Sequence, residues 1–319
     1  MSVLIYAESA EGQLKKVAFE LASYGKKVAD SLGTTVTAVT INANDVSELG
    51  QYGVSNVLKV SDSNLASFNA KAYANVVAEA AKKAGAKVVL VASTTDSLYL
   101  APLAAVQLEA GYATNVVALP VATAPLQVKR NAFSNKAFAV TELNKDINVL
   151  AIAKNSYGVH ADAVALSEEA FTVATSGLNA KVESIDKTTG KVTIADAEIV
   201  VSGGRGLKGP ENWGMVEELA SVLGAATACS KPVSDLGWRS HSEHVGQTGK
   251  PVATNLYIAI GISGAIQHIA GINASKVKLV INNDADAPFF KVADYGVVGD
   301  AFEIVPKLIE KLKTFKANN

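Results

Sequence analysis

The chain has 319 residues, of which 49% are hydrophobic and 18% are charged, so it is long enough for two domains with buried apolar cores. Its 29 basic and 30 acidic residues give a formal net charge of −1, which excludes the basic excess typical of a nucleic-acid-binding surface. One cysteine, Cys229, excludes an internal disulfide framework, and no apolar run reaches the length of a membrane span.

The amino terminus, "MSVLIYAESAEG", enters a strand pattern directly. It carries neither a basic leader with an apolar stretch behind it nor an arginine-rich transit segment. We therefore expect a cytoplasmic protein.

Strands and helices alternate through the first third of the chain. Apolar residues at helical spacing predict helices over 14–28 and 68–84, the second closed by Gly85, and a further helix over 98–109. β-Branched runs predict strands over 3–7, 35–41, 56–60 and 87–93. This alternation is typical of a parallel sheet covered by helices on both faces.

From about residue 119 the pattern changes to three strands with short turns and no helix between them, which predicts an antiparallel extension of the same sheet. Residues 156–191 are polar and weakly periodic, with a turn at Thr189–Gly190. We place a domain boundary near Asp186, which divides the chain into residues 1–186 and 187–319.

A second strand–helix series follows the boundary. It includes "AEIVVSGGRGLKGPENWGMVEELASVLGA", "LYIAIGISGAIQHIAG", the strand "KVKLVINND" and the closing helix "AFEIVPKLIEKLKTF". We predict an α/β fold with a parallel sheet for this half as well.

The segment "VVSGGRGLKGPENW" places three glycines and Arg205 where a strand ends. Residues without side chains allow the backbone to turn tightly and approach a ligand, and a following helix N-terminus suits a phosphate. A tight turn with a solvated arginine explains the same residues equally well.

Two further segments carry polar side chains between glycines. "HVGQTGK" presents Gln247 and Thr248, although an ordinary polar loop has the same composition. The nearby H-x-x-H of His241 and His244 lacks a third ligand at a recognisable spacing, which disfavours a metal site.

In "YIAIGISGAIQHIAG", Gly261 and Gly264 bracket Ser263 where a strand passes into a helix. Free amides at this junction suit a pyrophosphate, with Gln267 and His268 one turn further on. A histidine in such a position is also commonly structural.

In "INNDADAPFFKVADYGVVGD", Asn282 closes a strand and Asp300 ends an apolar run, where its carboxylate can accept from a ribose or an adenine amine. Strand ends of an open α/β sheet line a ligand crevice, so all four segments together indicate a nucleotide or dinucleotide cofactor.

The segments "SGGRGLK", "VGQTGK", "GISGAIQHIAG" and "ADYGVVGD" together closely resemble the FAD-binding half of the α subunit of electron-transfer flavoproteins. The order from "VLIYAES" through "KVVLVAS" is also similar to that family, so the resemblance spans the chain and is densest over 198–300. It implies one non-covalent FAD and a heterodimer with a β subunit. It also implies electron relay from acyl-CoA and related dehydrogenases of fatty-acid β-oxidation to a membrane quinone oxidoreductase.

The resemblance implies no catalytic residue and no metal. It places Arg205 and Lys231 close to the isoalloxazine, the Thr248 hydroxyl near flavin N5, and His268 near the C2 carbonyl. The full set of FAD-binding residues that it implies is Arg205, Ser230, Lys231, Val245, Gly246, Gln247, Thr248, Ser263, Gly264, Ala265, Ile266, Gln267, His268, Asn282, Asp300 and Ala301.

One residue departs from the family pattern. After the serine of "CSKP" the family commonly has arginine, and this chain has Lys231. The positive charge is kept while the planar guanidinium fork is lost. We expect Lys231 to tune the flavin rather than to bind it.

Two other functions fit the residues less fully. A flavin enzyme with its own small-molecule substrate predicts an acid or base beside the flavin, and His268 is the only candidate in the motifs. An adenine-nucleotide-binding sensor is suggested by the α/β pattern of the N-terminal half. Visible absorbance of the purified protein separates this sensor from the two flavin functions.

Overall fold

The computed structural model describes residues 2–133, 135–174, 182–185, 193–194 and 197–318. The chain forms two compact units, one comprising Met1–Ala132 and Phe138–Ile185, the other Phe133–Ala137 and Asp186–Asn319. The boundary predicted near Asp186 and the turn predicted at Thr189–Gly190 lie outside the described residues.

The first unit is built on a large sheet with the strand order β10-β9-β7-β11-β6-β1-β4-β5-β12, and β8 pairs with β9. Its strands are β1 (Ser2–Tyr6), β2 (Ser9–Ala10), β3 (Gln13–Leu14), β4 (Thr35–Ile41), β5 (Val54–Val60), β6 (Ala86–Ala92), β7 (Gly111–Val116), β8 (Ala122–Thr123), β9 (Leu126–Ala132), β10 (Ala137–Leu143), β11 (Asn148–Ile152) and β12 (Ser167–Ala170). Its helices are α1 (Lys16–Ser31), α2 (Ala70–Ala84) and α3 (Ser97–Gln107).

The centre of this sheet is buried on both faces. Strand β1 pairs in parallel with β4 and β6, and all five of its residues are buried. Val3 and Ile5 pack on one face with residues of α1, while Leu4 and Tyr6 pack on the other with residues of α2 and α3. A fully apolar strand is therefore stable here because both of its faces are covered.

Helix α2 confirms the predicted periodicity. It ends at Gly85, whose positive φ of 59° places it in the left-handed conformation typical of a helix C-cap. At its start the side chain of Asn69 accepts from the backbone N–H of Ala72, a cap that the sequence interpretation had not included.

The predicted antiparallel extension is partly wrong. Strand β9 pairs antiparallel with β7 and β8, as expected of the extension. In contrast, β11 lies between β6 and β7 and is parallel to both. Since all five residues of β11 are buried, an interior position that covers both faces suits it better than an edge. Strand β7 was not predicted.

The second unit contains a five-stranded sheet with the order β14-β13-β15-β16-β17, and all of its neighbouring strands are parallel. Its strands are β13 (Ile199–Gly203), β14 (Ala226–Cys229), β15 (Leu256–Ile260), β16 (Val277–Asn282) and β17 (Tyr295–Val298). Its helices are α4 (Gly214–Leu223), α5 (Lys231–Asp235), α6 (Ile266–Ile272) and α7 (Ala301–Ala317). The edge strands β14 and β17 have four residues each, too short for the sequence pattern to predict.

The glycine-rich segment that follows β13 does not lead directly into a helix, although the sequence had predicted that it would. Two short 3₁₀ turns, Arg205–Leu207 and Pro210–Asn212, separate the glycines from α4, so no helix begins at Arg205. Lys208 adopts a positive φ of 68°, which ends the first turn before a helix can form. Across the described ranges of both units, no helix has the length and apolar character needed to cross a membrane.

A buried carboxylate in α1 provides a test of the first unit. Glu20 accepts hydrogen bonds from the backbone N–H groups of Asn155 (2.8 Å), Tyr157 (2.9 Å) and Gly158 (2.9 Å). We expect Glu20→Gln to lower the free energy of unfolding by about 2 kcal/mol, because an amide NH₂ then faces backbone donors. Glu79→Gln, at a carboxylate that is 43% exposed and pairs with Lys82, is the control and should change the free energy of unfolding by less than about 0.5 kcal/mol. Equal effects of the two substitutions in urea unfolding would contradict this account.

Candidate functional site

The carboxyl ends of the five parallel strands of the second unit lie at one edge of the sheet. The residues that the sequence had indicated as ligand-binding lie at these strand ends, in the loops beside them or in the first turns of the helices that follow. In open α/β sheets this edge is where ligands bind.

Backbone contacts join the ends of β13 and β15. The N–H of Gly204 donates to the carbonyl of Ile260 (2.8 Å), and the N–H of Gly206 donates to that of Gly261 (3.1 Å). A Cβ on Gly204 would lie 2.1 Å from the Gly261 oxygen, so only glycine allows this approach. Arg205 is held between these glycines with its side chain exposed.

The end of β14 leads directly into α5. The N–H of Ser230 donates to the carbonyl of Gly203 (3.1 Å), and Ser230 itself is buried. Lys231 begins α5 with an exposed side chain whose ammonium lies 3.4 Å from a carboxylate oxygen of Asp235. The two cations expected at the site, Arg205 and Lys231, thus follow adjacent strands.

The segment Val245–Thr248 packs against α6. The backbone N–H of Gln247 donates to the backbone carbonyl of Gln267 (2.8 Å). Val245 and Gly246 are buried, whereas Gln247 and Thr248 are exposed. The segment therefore presents two hydrogen-bonding side chains above a buried base.

The turn between β15 and α6 exposes a run of backbone amides. Within the described residues, the N–H groups of Ser263, Gly264, Ala265, Ile266 and Gln267 donate to no protein acceptor. The turn is fixed from below, because the Ser263 carbonyl accepts from Phe289 (3.0 Å) and Gly264 has a positive φ of 85°. Consecutive free amides of this kind form a site for an anion.

His268 is buried directly beyond these amides, with 6% of its surface exposed. Its Nε2 lies 2.9 Å from the hydroxyl oxygen of Tyr257 in β15. Burial, reinforced by the nearby His244, lowers the pKa of His268 to about 4. The imidazole is therefore neutral at physiological pH.

The ends of β16 and β17 contribute Asn282 and Asp300. Asn282 is buried and its side-chain amide donates to the carbonyl of Ile262 (3.1 Å), which ties β16 to the amide-bearing turn. Asp300 caps α7 by accepting from the N–H of Phe302 (2.9 Å), and the next residue, Ala301, is buried. The cap follows the pattern of an aspartate with Glu303 three residues later, which the sequence interpretation had overlooked.

Sequence reasoning also missed a charged cluster behind the site. The guanidinium of Arg239 forms two hydrogen bonds to Glu243 (2.7 and 3.0 Å) and one to Glu217 (3.0 Å), and it lies over the ring of Trp213. Arg239 and Glu243 are four residues apart, and this i, i+4 spacing of opposite charges was the feature of the sequence that could have predicted the pair. This cluster fixes the chain that leads into Val245–Thr248.

His241 and His244 lie close together, with ring centroids 6.2 Å apart. His241 Nδ1 is 3.0 Å from the hydroxyl of Ser234. Of the residues that the structure describes, no three histidine, cysteine or acidic side chains come together as metal ligands would.

Comparison with known proteins identifies both halves of the chain. Residues 3–186 match the electron transfer flavoprotein domain, and residues 193–273 match the electron transfer flavoprotein FAD-binding domain. An electron transfer flavoprotein subunit alpha of Syntrophomonas wolfei is 36% identical over 97% of this chain and 98% of its own length. The corresponding Bacillus subtilis protein is 33% identical over 98% of this chain and 97% of its own length. A mitochondrial α subunit of Dictyostelium discoideum is 52% identical over 48% of this chain and 42% of its own length.

The contact between α6 and the Val245–Thr248 segment can be tested through Gly271. A Cβ on Gly271 would lie 2.5 Å from the Cα of Gly246, so Gly271→Ala must push the segment away from α6. We expect a loss of about 1–3 kcal/mol in unfolding free energy and faster amide exchange in the segment. Gly214→Ala, where the added methyl group meets open space, is the control. Unchanged exchange in Gly271→Ala would show that the contact does not hold the segment.

The lowered pKa of His268 predicts a dependence of stability on pH. The unfolded chain binds a proton at His268 near the usual histidine pKa of 6.5, whereas burial lowers the pKa in the folded chain to about 4. Stability should therefore fall as pH drops through this interval, by up to about 3 kcal/mol. His268→Gln removes this contribution, and the exposed His160→Gln serves as the control. Identical pH profiles for His268→Gln and the unaltered protein would contradict the burial of a neutral imidazole.

Proposed function

This chain belongs to the electron transfer flavoprotein family as an α subunit, and from that membership we propose that it carries electrons from soluble dehydrogenases to a membrane quinone oxidoreductase. Its relatives are named as subunits of electron transfer flavoproteins, so the chain is part of an electron carrier rather than a substrate-converting enzyme. Its cofactor is FAD, as the matched FAD-binding domain indicates.

The finer parts of the proposal concern partners. We assign the chain a β subunit, with which it forms a heterodimer, and acyl-CoA dehydrogenases and related dehydrogenases of fatty-acid β-oxidation as electron donors. These assignments are supported by the resemblance of the chain to its family along its whole length. The cytoplasm is the proposed location.

The free amides of Ser263 to Gln267 are the observation that carries the proposal. FAD contains a pyrophosphate, and consecutive unpaired N–H groups at the carboxyl edge of a parallel sheet match its negative charge. Two exposed cations, Arg205 and Lys231, follow neighbouring strands. The donor set at this edge therefore fits an anionic dinucleotide.

The proposed binding site combines side chains and backbone groups from all five strand ends. Its members are Arg205, Ser230, Lys231, Val245, Gly246, Gln247, Thr248, Ser263, Gly264, Ala265, Ile266, Gln267, His268, Asn282, Asp300 and Ala301. The buried members shape the floor of the site, and the exposed ones offer hydrogen bonds.

Bound FAD supplies the redox chemistry, accepting electrons from one partner and returning them to another. The protein binds it, orients it and sets the charge around it. Arg205 and Lys231 contribute permanent positive charge, whereas the buried His268 contributes a neutral ring. One oxygen of Asp300 is engaged in the α7 cap, which fixes the direction of the carboxylate.

FAD content is the first test of the proposal. We expect the complex purified with its β subunit to release one FAD per α chain on denaturation, because the described residues of the second unit form one such set of strand-end donors. Chromatographic quantification of the released flavin measures this. Release of FMN alone, or of no flavin, would contradict the proposal.

Lys231 is the second test. Its exposed ammonium favours a more negative, reduced flavin, so Lys231→Ala should lower the reduction potential while leaving FAD content nearly unchanged. The change corresponds to a factor of ten or less in the reduction equilibrium, about 1 kcal/mol for a solvated charge. Lys231→Arg should raise the potential, since a guanidinium is less strongly hydrated and can stack.

Spectroelectrochemical titration of the complexes decides the role of Lys231. Lys311→Ala on α7 is a matched control, because it also removes an exposed ammonium, ten residues into that helix. If Lys231→Ala and Lys311→Ala titrate alike, Lys231 does not tune the flavin.

A further inference from the structure

Tyr257 is buried at the centre of the second unit, and its hydroxyl group is hydrogen-bonded to one residue of the proposed site, His268. It lies in the middle of the sheet with 0% of its surface exposed. Its hydroxyl oxygen lies 2.9 Å from Nε2 of His268, eleven residues further along the chain. The glycine-containing turn between β15 and α6 brings the two side chains together.

Aromatic packing fixes the orientation of both rings. The ring of Phe289 stacks on that of Tyr257, with centroids 6.5 Å apart and planes 6° from parallel. The same phenylalanine lies 6.2 Å from the imidazole of His268. His268 is thus packed against two aromatic rings and has little freedom to rotate.

Both groups are neutral at physiological pH. Burial raises the pKa of Tyr257 far above its usual value, so the phenol keeps its proton. Burial lowers the pKa of His268 to about 4, so the imidazole carries only one proton. A neutral imidazole has one donor and one acceptor nitrogen, and the hydrogen bond to Tyr257 selects between them.

The surroundings favour Tyr257 as the donor. Within the described residues the Tyr257 hydroxyl has one hydrogen-bond partner, Nε2 of His268, and the buried hydroxyl of Ser202 on the neighbouring strand makes no hydrogen bond. Donation from Tyr257 to Nε2 gives the phenol proton its acceptor. Donation in the opposite direction leaves the phenol proton buried without an acceptor.

The other ring nitrogen agrees with this direction. Nδ1 of His268 is buried and makes no hydrogen bond of normal geometry with the described residues. The backbone of Val245 favours a proton on the ring. His268 lies against the segment Val245–Thr248, since a Cβ added to Gly246 would lie 3.7 Å from the Cα of His268.

We propose that Tyr257 is a positioning residue, which donates its hydroxyl proton to Nε2 and holds His268 as the neutral tautomer with its proton on Nδ1. The bearing of this tautomer on FAD rests on the function proposed above. The imidazole then lies against the Val245–Thr248 segment as a neutral ring, with a hydrogen-bond donor at Nδ1 and no positive charge. The permanent positive charge at the site then comes from Arg205 and Lys231.

The tautomer is measured by nitrogen-15 NMR of the FAD-loaded complex with labelled histidine. We expect His268 Nδ1 to show the shift of a protonated ring nitrogen and Nε2 that of an unprotonated one. This measurement needs no substitution and is decisive even if variants fold poorly. The reverse assignment, with the proton on Nε2, would overturn the proposal.

Tyr257→Phe tests the positioning role. Without its donor, Nε2 is left buried and unpaired, so the ring takes up a proton more readily and the single tautomer is lost. We expect mixed nitrogen shifts and a higher flavin reduction potential. Tyr24→Phe is the control, because the Tyr24 hydroxyl makes a hydrogen bond of the same length to the carbonyl of Ala118 in the first unit.

The outcomes separate this proposal from the assigned function. If Tyr257→Phe keeps both the histidine shifts and the potential of the unaltered complex, Tyr257 does not position His268. If the unaltered complex contains no FAD, the proposed function fails, while the histidine tautomer is still read in the same NMR spectrum. A shift in both variants alike would show a general effect of losing a buried hydroxyl and would also overturn the proposal.

Discussion

The approach of two backbones at the ends of β13 and β15 is the constraint on which the site of the second unit depends. Gly204 and Gly206 donate to the carbonyls of Ile260 and Gly261, and any side chain on Gly204 would collide with that backbone. This contact directs the chain after β15 outward over the sheet edge. In the turn that follows, the N–H groups of Ser263 to Gln267 have no acceptor among the residues that the structure describes.

The same edge separates buried from exposed groups. The buried residues are His268, Asn282 and Ser230, and each is held in place by a hydrogen bond to a neighbouring group. Thr248 and Gln267 lie above with their side chains exposed. A site with a rigid floor and exposed donors suits a bound cofactor that must also remain accessible to a redox partner. This arrangement agrees with the role of an electron carrier.

Local patterns predicted the features that depend on neighbouring residues. The apolar periodicity of α2 and its cap at Gly85 are set within a few turns of chain, and both were predicted. The position of β11 was not, because strand order depends on which strand most needs cover on both faces. The short 3₁₀ turns after Gly204 were missed because the left-handed Lys208 carries no glycine or asparagine signal.

The site shows the same division. Motifs and family resemblance indicated the residues of the strand ends, and their placement at one edge follows from a parallel sheet. The Tyr257–His268 hydrogen bond was not predicted, because it joins a strand to a helix across a turn whose geometry the sequence does not reveal. A tyrosine in a buried strand nevertheless needs a hydrogen-bond partner for its hydroxyl, and this requirement was the feature of the sequence that pointed to such a contact.

Hydrogen–deuterium exchange of the α–β complex with and without FAD tests the central claim most directly. The account predicts that adding FAD slows exchange at the amides of Ser263 to Gln267, since these groups have no acceptor in the described part of the chain and would gain one from the cofactor. Amides of α2 in the first unit serve as the internal reference. Slower exchange elsewhere, with the Ser263–Gln267 amides unchanged, would contradict the placement of FAD at this edge of the sheet.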